Sequence, residues 1–226
     1  MTDDERTPQV RDEKKGSYLI LPDGLPLEKA LEHPQLPDLF GVTLKNTIWQ
    51  WRNEITIGRS VMSTNLLPPW VAALLAWGAE VSFQGDEKTT SLATFLEHAA
   101  SHPGKVKALR IPLEVPGRVW GRDQVARTPS DNPIVSVTSV LDLEGNVVQE
   151  AKIALTGVWE RQARLADAAK HLRGRPLEDD VIQETAAAIQ DEVTPRSDFL
   201  GSAAYRREMA GLLTRRSLLV CREKGA

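Results

Sequence analysis

Residues 133–158 constrain the fold of this chain more than any other stretch. Pro133-Ile134-Val135-Ser136-Val137-Thr138-Ser139-Val140-Leu141 concentrates β-branched residues into a run with strong strand preference. Glu144-Gly145-Asn146 supplies a hairpin loop, and Val147 to Val158 returns as the antiparallel partner. Three helical stretches follow: about Arg161 to Leu172, closed by Gly174; about Glu178 to Val193; and about Ser202 to Arg222. A hairpin-rich sheet followed by a run of helices is an α+β pattern.

The first half has a different rhythm. Residues 1–17 are polar and charged and are expected to form a disordered leader. Tyr18-Leu19-Ile20-Leu21 is a short strand that ends at Pro22-Asp23-Gly24. Pro26 to His33 is a short helix, and Leu36 to Trp49 a second one, with Leu39, Val42 (or Phe40) and Leu44 on its apolar face. Ile55 to Ser60 is β-branched and then turns at Gly58. Pro69 to Gly78 is a third helix with a glycine stop. Ala79 to Phe83 alternates like a strand, Ser91 to Ala100 is helical, and Val106 to Leu113 is another strand. Pro112, Pro116 and Gly117 then mark a domain boundary, giving units over 18–115 and 116–226.

Composition narrows the function. A chain of 226 residues with net charge −3 has no electrostatic reason to seek nucleic acid or an anionic membrane. The longest apolar run, Trp70 to Trp77, is far short of the ~20 residues a bilayer span needs. No secretory signal opens the chain, so a cytoplasmic location is expected. Cys221 is the single cysteine, which excludes an intrachain disulfide and an iron–sulfur cluster ligated by this chain alone. His33, His98, His102 and His171 show no metal-ligand spacing.

The most telling motif is Trp51-Arg52-Asn53-Glu54-Ile55-Thr56-Ile57-Gly58-Arg59-Ser60. It resembles the Arg-Asn-x-x-Thr-Ile-Gly-Gly-Asn loop of the medium, FAD-carrying subunits of molybdenum hydroxylases. That family includes aerobic carbon monoxide dehydrogenases and xanthine dehydrogenases. Leu27 to Pro37, Leu74 to Val81, Pro133 to Val137, Ile153 to Val158, Gly174 to Leu177, and Ser197 to Arg207 are similar to further family segments in the right order. The resemblance implies a partial PCMH-type FAD-binding domain lacking its first subdomain, followed by a CO dehydrogenase flavoprotein C-terminal-like domain. It marks Thr56, Ile57, Gly58, Arg59 and Ser60 as the cofactor-binding residues and FAD as the cofactor. It also implies an iron–sulfur small subunit and a molybdopterin large subunit as partners, with substrate oxidation in another chain.

The chain departs from the pattern in ways that bear on the cofactor. The second glycine of the loop is Arg59, whose side chain should obstruct a close-lying ligand, and the amide position is Ser60. The residues before Tyr18 are too few for the glycine-rich pyrophosphate subdomain. An acidic position after the loop corresponds to Pro69, which offers neither carboxylate nor N–H. The arginine of the family's Asp-x-Arg is Leu200. Three readings follow: a shortened medium-type subunit with a degraded flavin site; a working FAD electron-transfer subunit completed by a partner chain, with Arg59 pairing a phosphate; and a stand-alone binding or regulatory protein.

Other features are better explained by structure. Trp49 and Trp51 would share a face in a strand and suit core or interface packing. Trp70 and Trp77 lie seven apart, on one helix face, as packing anchors. The basic last helix carries Tyr205, Met209, Leu212, Leu213 and Leu219 as apolar area and belongs to the domain. Glu178-Asp179-Asp180 opens a helix, where acids offset the dipole. No catalytic residue is assigned.

Overall fold

The computed structural model describes residues 7–13, 16–85, 88–98, 104–113, 115–160 and 163–225. It separates into two compact units, Met1–Glu114 and Val115–Ala226.

The first unit opens with strands β1 (Gln9–Glu13) and β2 (Gly16–Pro22). Short helices follow: α1 (Leu27–Leu31), α2 (Asp38–Leu44), α3 (Trp49–Glu54), α4 (Ile57–Met62) and α5 (Pro68–Trp77). Strands β3 (Glu80–Phe83) and β4 (Thr89–Ser91), helix α6 (Leu92–Glu97) and strand β5 (Val106–Pro112) complete it. The sheet is antiparallel in the order β1-β2-β5-β3-β4. Part of the expected leader is therefore a strand. Charged β1 is held by its ladder to β2 and by Arg110 of β5, which donates to both carboxylate oxygens of Glu13 at 2.8 and 2.9 Å. The same guanidinium reaches Glu80 of β3 at 3.3 Å and lies over the Tyr18 ring.

All ten residues of α5 are buried. A helix apolar on every side belongs in a core, and here the left-handed Gly78 ends it, with its N–H bonded to Leu74 O and Leu75 O. Phe40 of α2 packs edge-on against both Trp70 and Trp77, with centroids 5.2 and 5.8 Å apart. The two tryptophans are thus packing anchors. The helix expected from Leu36 to Trp49 stops at Leu44, and Trp49 begins a separate turn. Of the alternatives on its apolar face, Phe40 is buried and Val42 is exposed. The helix after Ser91 is capped by that serine, whose Oγ accepts from Thr94 N–H; residues 99–100 lie outside the described set.

The second unit is an antiparallel sheet of β6 (Arg118–Val125), β7 (Val135–Glu144), β8 (Val147–Thr156) and β9 (Ala163–Leu165) in that order. Its helices are α7 (Asp179–Glu192) and α8 (Ala203–Gly225). The hairpin and both long helices match the sequence expectation. Residues 161–162 lie outside the described set, and over 163–172 the expected helix is replaced. Ala163–Leu165 pairs with β8, and only Asp167–Leu172 coils, as a 3-10 helix. Glu192 of α7 accepts from the N–H groups of Asp167 and Ala168 at 2.9 and 2.8 Å, fixing that tight turn.

The buried stripe of α8 is Arg206, Ala210, Gly211, Leu213, Thr214, Ser217, Leu218 and Cys221. Of the apolar side chains expected to belong to the domain, Tyr205, Met209 and Leu219 pack half-buried against the core of this unit, while Leu212 is exposed. Small residues let this helix lie almost on the backbone of β6. A Cβ on Gly121 would stand 1.9 Å from Ser217 O, so only glycine fits that crossing.

Candidate functional site

Thr56 to Ser60 form the first turn of α4 rather than an extended arm bending at Gly58. Thr56 caps the helix: its Oγ1 accepts from Arg59 N–H at 3.3 Å, and its carbonyl accepts from Ser60 N–H at 2.9 Å. The preceding chain pairs with the turn after β2. Leu27 N–H donates to Ile55 O at 3.0 Å, Ile57 N–H to Leu25 O at 2.8 Å, and Gly58 N–H to Asp23 O at 2.8 Å. These bonds explain the glycine. A Cβ on Gly58 would meet the Asp23 Cβ at 3.0 Å and its carbonyl oxygen at 3.2 Å, so the Asp23-Gly24 turn needs a bare Cα beside it.

The other side chains turn inward. Ile57 and Ser60 are fully buried and Thr56 is half-buried. Ser60 Oγ donates to Ile57 O at 2.7 Å and accepts from Trp70 Nε1 at 3.0 Å, so this hydroxyl is spent on the core. Arg59 alone is exposed, with no ion pair or side-chain hydrogen bond among the described residues. The structure brings the five expected residues into one turn, where the Arg59 guanidinium is the single exposed cation among them. The N–H groups of residues 57, 58, 59 and 60 are all bonded within the chain, whereas a phosphate cradle needs such donors free. Pro69, at the acidic position of the resemblance, sits buried in the first turn of α5.

The chain before and after this turn exposes several large apolar side chains. The α3 helix buries none of its residues, and Trp49 and Trp51 are 65% and 39% exposed. They stand on a helix, not on the one face of a strand. Ile48, Val42 and Met62 are exposed in the same stretch of chain. Arg52 of α3 pairs with Glu28 of α1 at 3.1 Å.

The second unit contains a polar fastening within the Ser197–Arg207 segment of the resemblance. Arg206, buried in α8, donates through Nη1 to Ile134 O and Gly157 O at 2.6 and 2.8 Å. Its Nη2 bridges both Asp198 oxygens at 2.8 and 2.7 Å. Asp198 also accepts from Leu200 and Gly201 N–H. These bonds, the Arg206 pair first, hold the Asp198 carboxyl below its ordinary range. Cys221 is buried, and desolvation pushes its thiol up to about 12, which leaves it inert as a nucleophile. The acids that open α7 are structural: Asp180 accepts from Val181 N–H and Asp179 pairs with Arg222. No group of metal-ligating side chains occurs among the described residues. Among the described residues no helix is long and apolar enough to cross a membrane.

Two α+β units, the second a long hairpin sheet carrying two helices, define the class to which this chain is compared. Residues 122–220 match the CO dehydrogenase flavoprotein C-terminal domain. The chain is 29% identical over 171 residues to the glyceraldehyde dehydrogenase medium chain of Sulfolobus acidocaldarius, covering 73% of this chain and 60% of that one. It is 30% identical over 120 residues to the carbon monoxide dehydrogenase medium chain of Afipia carboxidovorans, covering 53% and 42%. Its fold superposes on a carbon monoxide dehydrogenase structure from Hydrogenophaga pseudoflava with a TM-score of 0.83 at 22% identity, covering 96% of this chain and 79% of the other. The chain thus carries a match to the CO dehydrogenase flavoprotein C-terminal domain over residues 122–220 and is similar in sequence to the medium chains of carbon monoxide and glyceraldehyde dehydrogenases. The matches span about three-fifths or less of those curated relatives' own length.

Proposed function

We propose that this protein is a medium-type subunit of a molybdenum hydroxylase complex, docking to an iron–sulfur chain and a molybdopterin chain, with its flavin function weakened or lost. The observation that carries the cofactor part is the closed hydrogen-bonding of residues 57–60. Every backbone donor there has an internal acceptor, Ser60 is committed to Trp70, and Arg59 projects from the position that the resemblance gives to glycine. FAD in the family manner would need several preorganised N–H groups, and one flexible guanidinium is a poor replacement for them. The docking part is supported by the exposed tryptophans of α3, a residue type enriched in buried interface centres. Substrate oxidation then lies in a partner chain, and the complex works in the cytoplasm.

The exposed, unpaired Arg59 favours a second reading, in which it grips a phosphate of FAD and a partner chain supplies the remaining donors. An absorption spectrum of the purified full chain, with FAD added and the excess removed, separates the two. The expected result is no stoichiometric flavin band, and Arg59→Gly does not restore one. A stoichiometric band bleached by dithionite overturns the flavin-free reading.

A further inference from the structure

Strand β1 is joined to the first unit by hydrogen bonds and charge, not by packing. None of its five residues is buried, and its large apolar side chain, Val10, is 40% exposed. The neighbouring β2 is held without it. Leu19 and Leu21 of β2 are fully buried, and the strand is paired on its other side to β5, from Tyr18↔Pro112 to Pro22↔Ala108. The two edges of β2 can be told apart residue by residue. Ser17 O accepts from Leu113 N–H at 2.8 Å, so Ser17 turns its backbone groups toward β5. Alternation turns Leu19 and Leu21 to β5 as well, and turns Tyr18 and Ile20 to Arg11 and Gln9 of β1. Pro112, which has no N–H, accordingly stands opposite Tyr18, where the β2–β5 ladder makes no bond.

Side chains set how firmly β1 stays. Ser17 Oγ donates to Asp12 at 2.6 Å, and Arg11 bonds within the strand, to Gln9 Oε1 at 3.0 Å. The fastening of longest reach is Arg110 of β5, which crosses β2 to donate to both Glu13 oxygens. That bond is the main cause holding the Arg110 pKa above its ordinary value. The same guanidinium reaches Glu80 of β3 at 3.3 Å and lies over the Tyr18 ring. Glu80 and Tyr18 stay in the sheet when β1 leaves. Its departure therefore keeps Arg110 paired, returns Glu13 to water and removes no buried side chain from the core. Those are the conditions under which a segment opens locally, well below the cost of unfolding the whole unit.

We propose that β1 is a detachable strap and the Arg110–Glu13 pair its latch. The strand leaves the sheet as one unit, Arg110 passes to Glu80, and the outer edge of β2 presents its N–H and C=O groups as a template for another strand. The test is amide hydrogen exchange of the full chain followed by NMR, with wild type beside Glu13→Gln and Glu80→Gln and rates corrected for intrinsic sequence effects. In the wild type, the Tyr18 and Ile20 amides are expected to share one protection factor, well below that of Leu19 and Leu21. Glu13→Gln should lower that factor about fivefold, the scale of an exposed ion pair, and leave Leu19, Leu21, Leu109 and Ile111 unchanged. Glu80→Gln should not lower it, because an open strap would then leave Arg110 without its second carboxylate. Equal protection of Tyr18 and Leu19 overturns the strap. Ile20 exchanging much faster than Tyr18 is ordinary fraying from Gln9 and overturns the unit. Faster exchange of Tyr18 and Ile20 in Glu80→Gln is a general loosening of the sheet, and it overturns the latch, as does a Glu13→Gln variant that exchanges like the wild type.

Discussion

Helices α8 and α3, one from each unit, stand at opposite extremes of packing. In the second unit, α8 meets the sheet through Gly121, Ser139, Ser217 and Cys221, all small, and backbone approaches backbone. In the first, α3 carries two tryptophans and buries no residue. Side-chain size and apolarity therefore misidentify the tightest contact in the molecule. What matters is whether the backbone geometry leaves room, and at Gly121 it leaves none. The largest expected effect tests that contrast directly. Gly121→Ala adds one methyl group and should cost about 3 kcal/mol, because the atom it would strike is a helix carbonyl that cannot rotate away. The unfolding midpoint in urea measures it. A loss under half that size would mean α8 can slide off β6, and the contrast between the units would weaken.

A second, smaller effect concerns the fastening at Arg206. This guanidinium joins the start of β7, the end of β8 and the Asp198-Gly201 turn to α8, four segments with one side chain. Arg206→Ala leaves a buried carbonyl without a donor and frees the Asp198 carboxylate, a loss of about 2 kcal/mol by chemical denaturation. The acid limb provides an independent reading. The folded pKa of Asp198 lies below its unfolded value, near 3.9 for an ordinary aspartate, so its contribution is fully present above that value and is lost as pH falls through the folded pKa. The carboxylate is half-exposed, so the limb is shallow. Arg206→Ala should flatten it. An unchanged acid limb would show that the Leu200 and Gly201 N–H groups, not Arg206, hold the carboxylate charged.

These results also show why some of the structure was legible in the chain and some was not. The β7–β8 hairpin follows from a long β-branched run and a glycine turn, and α5 from an apolar stretch closed by Gly78; both signals are local. Strands β1 and β6 carry charged residues and have no alternating apolar face, so their pairing depends on distant neighbours such as Arg110 and on the small face of α8. The 3-10 turn at Asp167–Leu172 likewise depends on Glu192, twenty-five positions from Asp167. At the candidate site, the motif's five residues fall in one turn of α4. The motif could not tell that Gly58 is glycine for the sake of Asp23, or that Ser60 is occupied by Trp70. Arg206 lies inside the Ser197–Arg207 segment of the resemblance, but only burial distinguishes it from the neighbouring Arg207 as the side chain that fastens four segments.

The smallest expected effect on stability is at the largest side chain. Trp49→Ser removes an indole that is 65% exposed, on a helix with no buried residue, and surface changes of this kind usually stay within ~0.5 kcal/mol. Its carbonyl, which accepts from Asn53 Nδ2, is untouched by the substitution. Stability in urea should therefore be unchanged, while assembly with partner chains, followed by co-purification after co-expression with iron–sulfur and molybdopterin subunits, should weaken. The two readouts separate the possible roles of the residue. A stability loss above 1 kcal/mol would mean that α3 is packed in the free chain and that the first unit resembles the second more than its exposure suggests. Unchanged stability with unchanged assembly would remove Trp49 from the docking surface and leave Trp51, Ile48 and Met62 to carry it. Only the pairing of a silent fold with a weakened complex fits a helix whose packing partner is another chain.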